Sequence, residues 1–210
     1  MPDWDKIFAQ KGYVFVDPHP DMTRLVTKFQ EGNVKKVLDL GCGTGRNLVS
    51  LSRAGFDIVG FDCSTTALEL TRQWLEEEGL EAELDIGKME DPFPYPDGSF
   101  DAVISVQVIH HNLMADILTT VSEIERVLKV GGFLYITVPI LGLKPENPKD
   151  DWHLDWIEPG TYIPQCGPES GVPHHYFTEE ELREVFGNFE VLEIYMDDTD
   201  HRCVLAIKKP

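Results

Sequence analysis

The sequence predicts one doubly wound α/β domain built around a parallel sheet. Short apolar runs alternate with amphipathic segments, glycines stand at the junctions, and 210 residues are enough for one core. Strands are expected at 36–40, 57–61, 82–86, 100–106 and 133–138, with helices at 44–54, 64–78 and 115–128. Such alternation is typical of parallel sheets that are covered by helices on both faces.

The chain departs from this alternation after the fifth strand. Residues 139–177 are rich in Pro and Gly and are interpreted as one irregular segment, a lid that starts at the carboxyl edge of the sheet, where ligands bind. Loops of this length are uncommon without a function. Thr178 and Glu181 form a capping-box pattern that begins a short helix, and strands are expected at 190–195 and 203–208. Gly131 and Gly132 are expected to form a turn.

Composition excludes several classes of protein. The formal net charge of −19 disfavours a nucleic-acid partner, because phosphate backbones are bound largely by Lys and Arg. No apolar stretch reaches the ~20 residues of a membrane span, and nothing resembles an export signal, so a cytoplasmic protein is expected. The four cysteines are expected to be free thiols. His153 and Asp155 have no clear third partner, so no metal is expected.

A glycine-rich loop follows the first predicted strand. It reads Asp39-Leu40-Gly41-Cys42-Gly43-Thr44-Gly45 and leads into a helix. A dinucleotide fingerprint fails here because Arg46 occupies its sixth position, and the Lys of a phosphate-binding P-loop is missing. The carboxylate of Asp39 would repel a pyrophosphate but suits a cationic ligand. Asp62, which ends the second strand, is placed to accept hydrogen bonds from ribose hydroxyls. S-adenosylmethionine (SAM) carries both a cationic group and a ribose.

Four segments resemble, in order, the motifs of class I SAM-dependent methyltransferases. They are VLDLGCGTG, GFDCS, PYPDGSFDAVIS and RVLKVGGFLYITVP, and they extend over roughly residues 35–140. The GTGRN segment also resembles the tellurite-resistance group of these enzymes. The resemblance implies a Rossmann-like, mostly parallel sheet of seven strands whose last hairpin is partly antiparallel. It also implies SAM as the cofactor and S-adenosylhomocysteine as the product.

The resemblance also implies roles for single residues. The glycines would contact the methionine end of SAM, Asp62 its ribose, the 88–90 segment its adenine, and the end of the fourth strand its methyl group. Where many relatives carry an Asp for the adenine, this chain has Lys88, with Asp85 and Glu90 as substitutes. The cofactor-binding candidates are Asp39, Gly41, Cys42, Gly43, Gly45, Asp62, Cys63, Lys88, Met89, Glu90, Ser105, Val106 and Gln107.

Candidates for the acceptor side are fewer. His110 and His111 follow the fourth strand, and His174, His175 and Tyr176 end the lid. The catalytic candidates are His110, His111, His175 and Tyr176, with packing or backbone hydrogen bonding as the alternative for the histidines. Aromatic residues in the lid either wall an apolar pocket or pack the lid itself: Trp152, Trp156 and Tyr162. Those before the sheet either close over SAM from the N-terminal side or only pack: Trp4, Phe8 and Tyr13.

The expected function is methyl transfer from SAM to a small molecule or a soft anion. A methyl group on a sulfonium is already activated, so the protein mainly has to align donor and acceptor. Two alternatives remain: an RNA or protein methyltransferase, and a SAM-binding protein without turnover. The sequence names neither the acceptor atom nor the oligomeric state.

Overall fold

The computed structural model describes residues 4–140, 153–167 and 169–210. The strands are β1 (Lys36–Leu40), β2 (Asp57–Asp62), β3 (Glu83–Ile86), β4 (Phe100–Val106), β5 (Leu128–Pro139), β6 (Leu154–Glu158), β7 (Thr161–Pro164), β8 (His174–His175), β9 (Phe189–Met196) and β10 (His201–Lys208). The helices are α1 (Trp4–Lys11), α2 (Met22–Glu31), α3 (Arg46–Arg53), α4 (Thr65–Glu78), α5 (Met114–Val127) and α6 (Glu179–Val185). None of the helices in these ranges is long and apolar enough to cross a bilayer.

Seven strands form the main sheet in the order β3-β2-β1-β4-β5-β10-β9. β1 to β5 pair in parallel, whereas β10 is antiparallel to both of its neighbours. The doubly wound, mostly parallel seven-stranded fold is therefore confirmed. The strand order reverses between β1 and β4, and in such sheets ligands bind outside the carboxyl ends of the strands at this point.

The central strands are buried on both faces, which explains their continuous apolar runs. Leu38 and Val103 face one buried cluster, and Val37 and Ile104 face the other. Helix ends follow the expected chemistry as well. The Ser64 side chain accepts a hydrogen bond from the Ala67 amide at 3.1 Å and caps α4. The expected capping box of Thr178 and Glu181 begins α6.

Two expectations about local structure were wrong or incomplete. α1 and α2 precede the sheet, although only aromatic contacts were expected there. The buried stripe of α2, Met22, Leu25 and Phe29, has helical spacing that the sequence does carry. Gly131 and Gly132 do not form a turn between elements but lie inside β5. Gly131 has φ of 76°, and the pairing of β4 with β5 shifts register at this end.

The segment expected to be irregular contains a second sheet. β6, β7 and β8 pair antiparallel, and Gly160, with φ of 78°, lies in the tight turn between β6 and β7. β6 is exposed along most of its length, so it shows no alternation of buried and exposed positions. That alternation is the signal by which a half-buried strand is recognised.

Candidate functional site

A cavity of 390 Å³ lies at the carboxyl ends of β1, β2 and β4. Its walls are the glycine loop, the end of β2, residues 87–90, the loop after β4, α1 and the segment that leads into β8. The lining residues that bear on its chemistry are Trp4, Phe8, Gly41, Cys42, Gly43, Arg46, Asp62, Cys63, Lys88, Met89, Glu90, Val106, Gln107, His110, His111, Glu169, His174 and Tyr176. The cavity is within the size range of small-molecule sites.

The glycine loop allows the backbone to form the cavity wall. Gly41 has φ of 73°, and a Cβ there would lie 2.4 Å from the Val108 side chain. Gly45 has φ of 90° and no room beside Thr71, so both positions require glycine. Gly41 and Gly43 line the cavity. Gly45 is not in the lining and instead precedes α3 as its N-cap residue.

Asp62 connects the end of β2 to this loop. Its Oδ2 accepts a hydrogen bond from the Gly43 amide at 2.8 Å, and its Oδ1 accepts one from the Ser64 amide at 2.9 Å. Each carboxylate oxygen keeps a second lone pair, which suits a ribose hydroxyl. Burial raises the pKa of the Asp62 carboxyl, and the two backbone amides act in the opposite direction.

Asp39 lies beneath the loop and does not line the cavity. Among the described residues, its Oδ2 has no hydrogen-bond partner. Burial raises the pKa of the Asp39 carboxyl to about 7, and the positive charge of Arg46 partly opposes this shift. Arg46 does line the cavity, with its guanidinium 4.6 Å from the centroid of the Phe15 ring. In the sequence, Arg46 breaks the dinucleotide fingerprint, but no role in binding was expected for it.

Gln107 follows β4 directly and has a left-handed conformation, with φ of 61°, which is strained for a residue that has a side chain. Its amide donates to Thr137 Oγ1 at 2.9 Å, and its Oε1 accepts from Arg46 Nη2 at 3.3 Å. Val106 and Gln107 line the cavity as expected from their position. Ser105 is not in the lining, because its hydroxyl donates to the Leu40 carbonyl inside the core.

The 88–90 segment forms another wall. Lys88, Met89 and Glu90 all line the cavity, and Glu90 Oε1 is buried without a partner among the described residues. Asp85, the other substitute for the usual adenine-binding Asp, accepts a hydrogen bond from Tyr95 at 3.0 Å and does not line the cavity. Glu90 is therefore the carboxylate available on this wall.

The two cysteines of the predicted site both line the cavity. Burial raises the pKa of the Cys63 thiol to about 12 and that of Cys42 well above its ordinary value. Both side chains are therefore neutral thiols at physiological pH, and they contribute shape rather than nucleophilic chemistry.

Three histidines meet on the opposite wall. His110 and His174 are buried and His111 is half-buried. The ring centroids of His110 and His111 are 3.9 Å apart, and those of His111 and His174 are 4.7 Å apart. Glu169 Oε2 lies 2.8 Å from His174 Nε2, and the Trp4 ring packs edge-on against His111. Burial lowers the pKa of His111 to about 3, so this ring is neutral at physiological pH.

The two remaining acceptor-side candidates differ in whether they face the cavity. Tyr176 lines the cavity, whereas His175 does not. The His175 ring is fully buried, with Nδ1 2.8 Å from Thr161 Oγ1, and its backbone amide donates to the His110 carbonyl at 2.8 Å. Its position supports packing of the second sheet against the loop after β4.

Only some of the aromatic candidates line the cavity. Trp4 and Phe8 line the cavity. Tyr13 does not line it, and its hydroxyl donates a hydrogen bond to the Leu70 carbonyl. Trp156 is exposed and Tyr162 packs against Tyr176, and neither is in the lining. The remaining lid aromatic, Trp152, lies outside the described residues.

The possible metal pair found in the sequence has no structural support. Two groups of described residues could each hold an ion, and His153 and Asp155 belong to neither. One of these groups is His110, His111 and His174, on the cavity wall. Adjacent histidines and a third one far along the chain carry no recognisable spacing, so only the fold brings them together.

Comparison with known proteins agrees with this architecture. Residues 38–136 match the family model described as "Methyltransferase domain". The ubiquinone biosynthesis O-methyltransferase of Thiobacillus denitrificans is 31% identical over 103 residues, which cover 49% of this chain and 44% of that protein. The matched region thus spans about half the length of the curated relatives or less.

Solved structures extend the likeness to nearly the whole chain. A SAM-dependent methyltransferase from Methanosarcina mazei superposes with a TM-score of 0.75 at 22% identity, covering 92% of this chain and 99% of that one. TehB from Haemophilus influenzae gives a TM-score of 0.68 at 22% identity, covering 98% and 67%. The chain therefore has the fold of these methyltransferases. Residues 38–136, just under half of the chain, are similar to the methyltransferase-domain family.

Proposed function

We propose that this protein transfers a methyl group from SAM to a small-molecule acceptor. One observation carries the proposal: a single cavity joins the glycine loop and Asp62 to the wall formed by Trp4, Tyr176 and the histidines. Donor and acceptor would thus share one site. Holding two reactants in such proximity is the main contribution that a protein can make to this reaction.

The residues present fit SAM. Asp62 offers free lone pairs to the ribose, and Glu90 Oε1 is a buried acceptor suited to the adenine amino group. Arg46 is a cation suited to the carboxylate of the methionine end. Bound SAM supplies a methyl group that is activated by its sulfonium charge. The protein side chains then have to orient the acceptor and exclude water.

The acceptor wall favours a small organic molecule. Trp4 and Tyr176 offer flat apolar surface, and polar side chains from the loop after β4 stand beside them. Curated relatives are named O-methyltransferases of ubiquinone biosynthesis, which supports a hydroxyl oxygen as the methyl acceptor here. The formal net charge of −19 disfavours RNA in this role.

The test has two stages. Calorimetry should show binding of SAM and S-adenosylhomocysteine but not of NAD, because the loop lacks the dinucleotide fingerprint. A screen with methyl-labelled SAM across phenols, thiols, amines and chalcogen oxyanions should then label at least one acceptor. Tight binding of NAD without binding of SAM would refute the proposal. Binding of SAM with no transfer in any class would indicate a SAM-binding protein without turnover.

A further inference from the structure

Two imidazole nitrogens in the cavity wall are buried without a hydrogen-bond partner. They are Nδ1 of His110 and Nδ1 of His111, and neither reaches a partner among the described residues. Buried polar atoms in native proteins nearly always have a partner, so exceptions call for an explanation. Because both atoms are closed to solvent, a group that satisfies them has to be small and enclosed by the rings.

The arrangement of His174 requires a proton or a metal ion beside its Nε2. Its Nδ1 lies 3.0 Å from the Val172 carbonyl oxygen, which can only accept a hydrogen bond, so Nδ1 carries the ring hydrogen. Its Nε2 lies 2.8 Å from Glu169 Oε2, which is also an acceptor. A nitrogen lone pair and a carboxylate oxygen at this distance repel each other unless a proton or a metal ion lies with them.

The same arrangement is the usual way in which proteins orient a histidine ligand. An Nδ1–H bonded to a backbone carbonyl fixes the tautomer and directs Nε2 at the metal. Potential ligand atoms of His110, His111 and His174 all lie within 4.8 Å of one another. A tetrahedral site with bonds of 2.0–2.1 Å needs nitrogens about 3.4 Å apart, so modest rotations of the rings would close the site.

We propose that His110, His111 and His174, together with Glu169, bind one divalent transition-metal ion at the acceptor end of the cavity. Imidazole nitrogens with one carboxylate are a donor set suited to zinc and to neighbouring first-row ions. The Glu169 carboxylate would neutralise part of the ionic charge. This inference goes beyond the proposed methyl transfer, because the ion can bind whether or not a methyl acceptor exists.

A second group of described residues provides the comparison. His19, Asp197 and Cys203 also bring three potential ligand atoms together. Their polar atoms are already paired, since His19 Nε2 lies 2.8 Å from Asp197 Oδ2, which also contacts the Cys203 thiol. His19, moreover, does not line the cavity. The three side chains are therefore accounted for by a hydrogen-bond network without an ion, and His19 provides a matched control for metal binding.

The test measures metal binding directly on the full chain, without SAM or acceptor. Chelator-treated protein is dialysed against Zn²⁺ or Co²⁺, and bound metal is quantified by mass spectrometry. We expect one ion per chain, and for Co²⁺ the strong visible absorption of a tetrahedral site. His111→Gln and His174→Gln should each lower the affinity about tenfold or more, while the control His19→Gln should bind as the unmodified protein does.

Two checks keep the outcome interpretable. Binding of S-adenosylhomocysteine and the circular dichroism spectrum report whether each variant is folded. If a histidine variant fails to fold, Glu169→Gln preserves the shape of the side chain and should still weaken metal binding. The proposal is overturned if the unmodified chain binds no stoichiometric ion, or if binding survives in folded His111→Gln and His174→Gln. Loss of binding in His19→Gln alone would overturn it as well.

Discussion

Asp62 uses one carboxylate for two tasks, since it anchors the glycine loop and faces the cavity. Asp62→Ala should therefore weaken binding of SAM and S-adenosylhomocysteine at least tenfold, because hydrogen bonds to an ionised group contribute about 1.5–3 kcal/mol each. Calorimetry measures this loss. Asp101 is a matched control, because its Oδ2 also accepts two backbone hydrogen bonds, from Lys35 and Lys36.

The control separates stability from binding. Asp101 stands at the start of β4, at the opposite edge of the sheet from the cavity. Asp101→Ala should lower the melting temperature while leaving the affinity for SAM unchanged. If Asp62→Ala is folded and binds SAM normally, the ribose is held elsewhere.

Asp39 makes the stability of the chain depend on pH. Its pKa of about 7 in the folded chain exceeds the ordinary 3.8, so the folded state keeps a proton that the unfolded state releases. The free energy of unfolding therefore falls as pH rises from about 4 to 7 and stays at its lower value above. Asp39→Asn should remove this loss and stabilise the unliganded protein at pH 8 by a few kcal/mol, on the order of 1–4.

Urea unfolding at pH 4.5 and pH 8 measures this effect. The variant should gain stability at pH 8 but not at pH 4.5, and it should bind SAM more weakly, since a negative charge beneath the loop is lost. An equal gain at both pH values would mean that the carboxylate of Asp39 is not the titrating group.

Local motifs explain which site residues the sequence could predict. The loop glycines and Asp62 were readable because their conformation and position follow from the chain immediately around them. Arg46 and Glu169 were not, because only the fold brings each of them to the cavity. Arg46 contacts Gln107, which lies 61 residues further along the chain. Glu169 contacts the nearby His174, and this pair reaches the cavity because β8 lies beside the loop after β4.

Among the elements, the second sheet determines how the acceptor end is built. Tyr176, which directly follows β8, lines the cavity, whereas His175 attaches the sheet to the loop after β4. Tyr176→Phe should therefore depress turnover with the true acceptor while hardly changing the affinity for SAM. His175→Ala should instead lower the melting temperature. Equal turnover in Tyr176→Phe and the unmodified enzyme would remove that hydroxyl from the reaction.

Limited proteolysis tests whether residues 139–177 act as a lid. We expect cleavage within residues 139–177 in the unliganded protein, and slower cleavage once S-adenosylhomocysteine and an acceptor are bound. Equal resistance with and without ligands would indicate a permanently packed segment. The sequence predicted the position of this segment but not its strands, because exposed strands such as β6 lack the alternation that reveals half-buried ones.

For the whole molecule, the acidic charge disfavours nucleic acid as a partner. With a formal net charge of −19, the chain should retain no total RNA in filter binding at 0.15 M salt and should transfer no labelled methyl group to it. A basic RNA-binding protein run in parallel establishes that the filters work. Labelled RNA in the presence of this protein would contradict the assignment of a small-molecule acceptor.

The parallel half of the sheet was readable from the alternation of strands and helices along the chain. The position of β10 was not, because no local pattern says that a strand will pair between two others. Only resemblance to known methyltransferases implied an antiparallel final hairpin. The structure places β10 between β5 and β9 in the sheet order.

That position of β10 has a consequence for how the protein is made. β5 gains its second neighbour only when residues 201–208 pair with it, from Pro139 opposite His201 to Phe133 opposite Ile207. During synthesis on the ribosome, β5 therefore waits with one edge unpaired while more than sixty further residues emerge. A nascent chain that stalls before β10 would present that edge to other chains, so we expect such products to depend on chaperones.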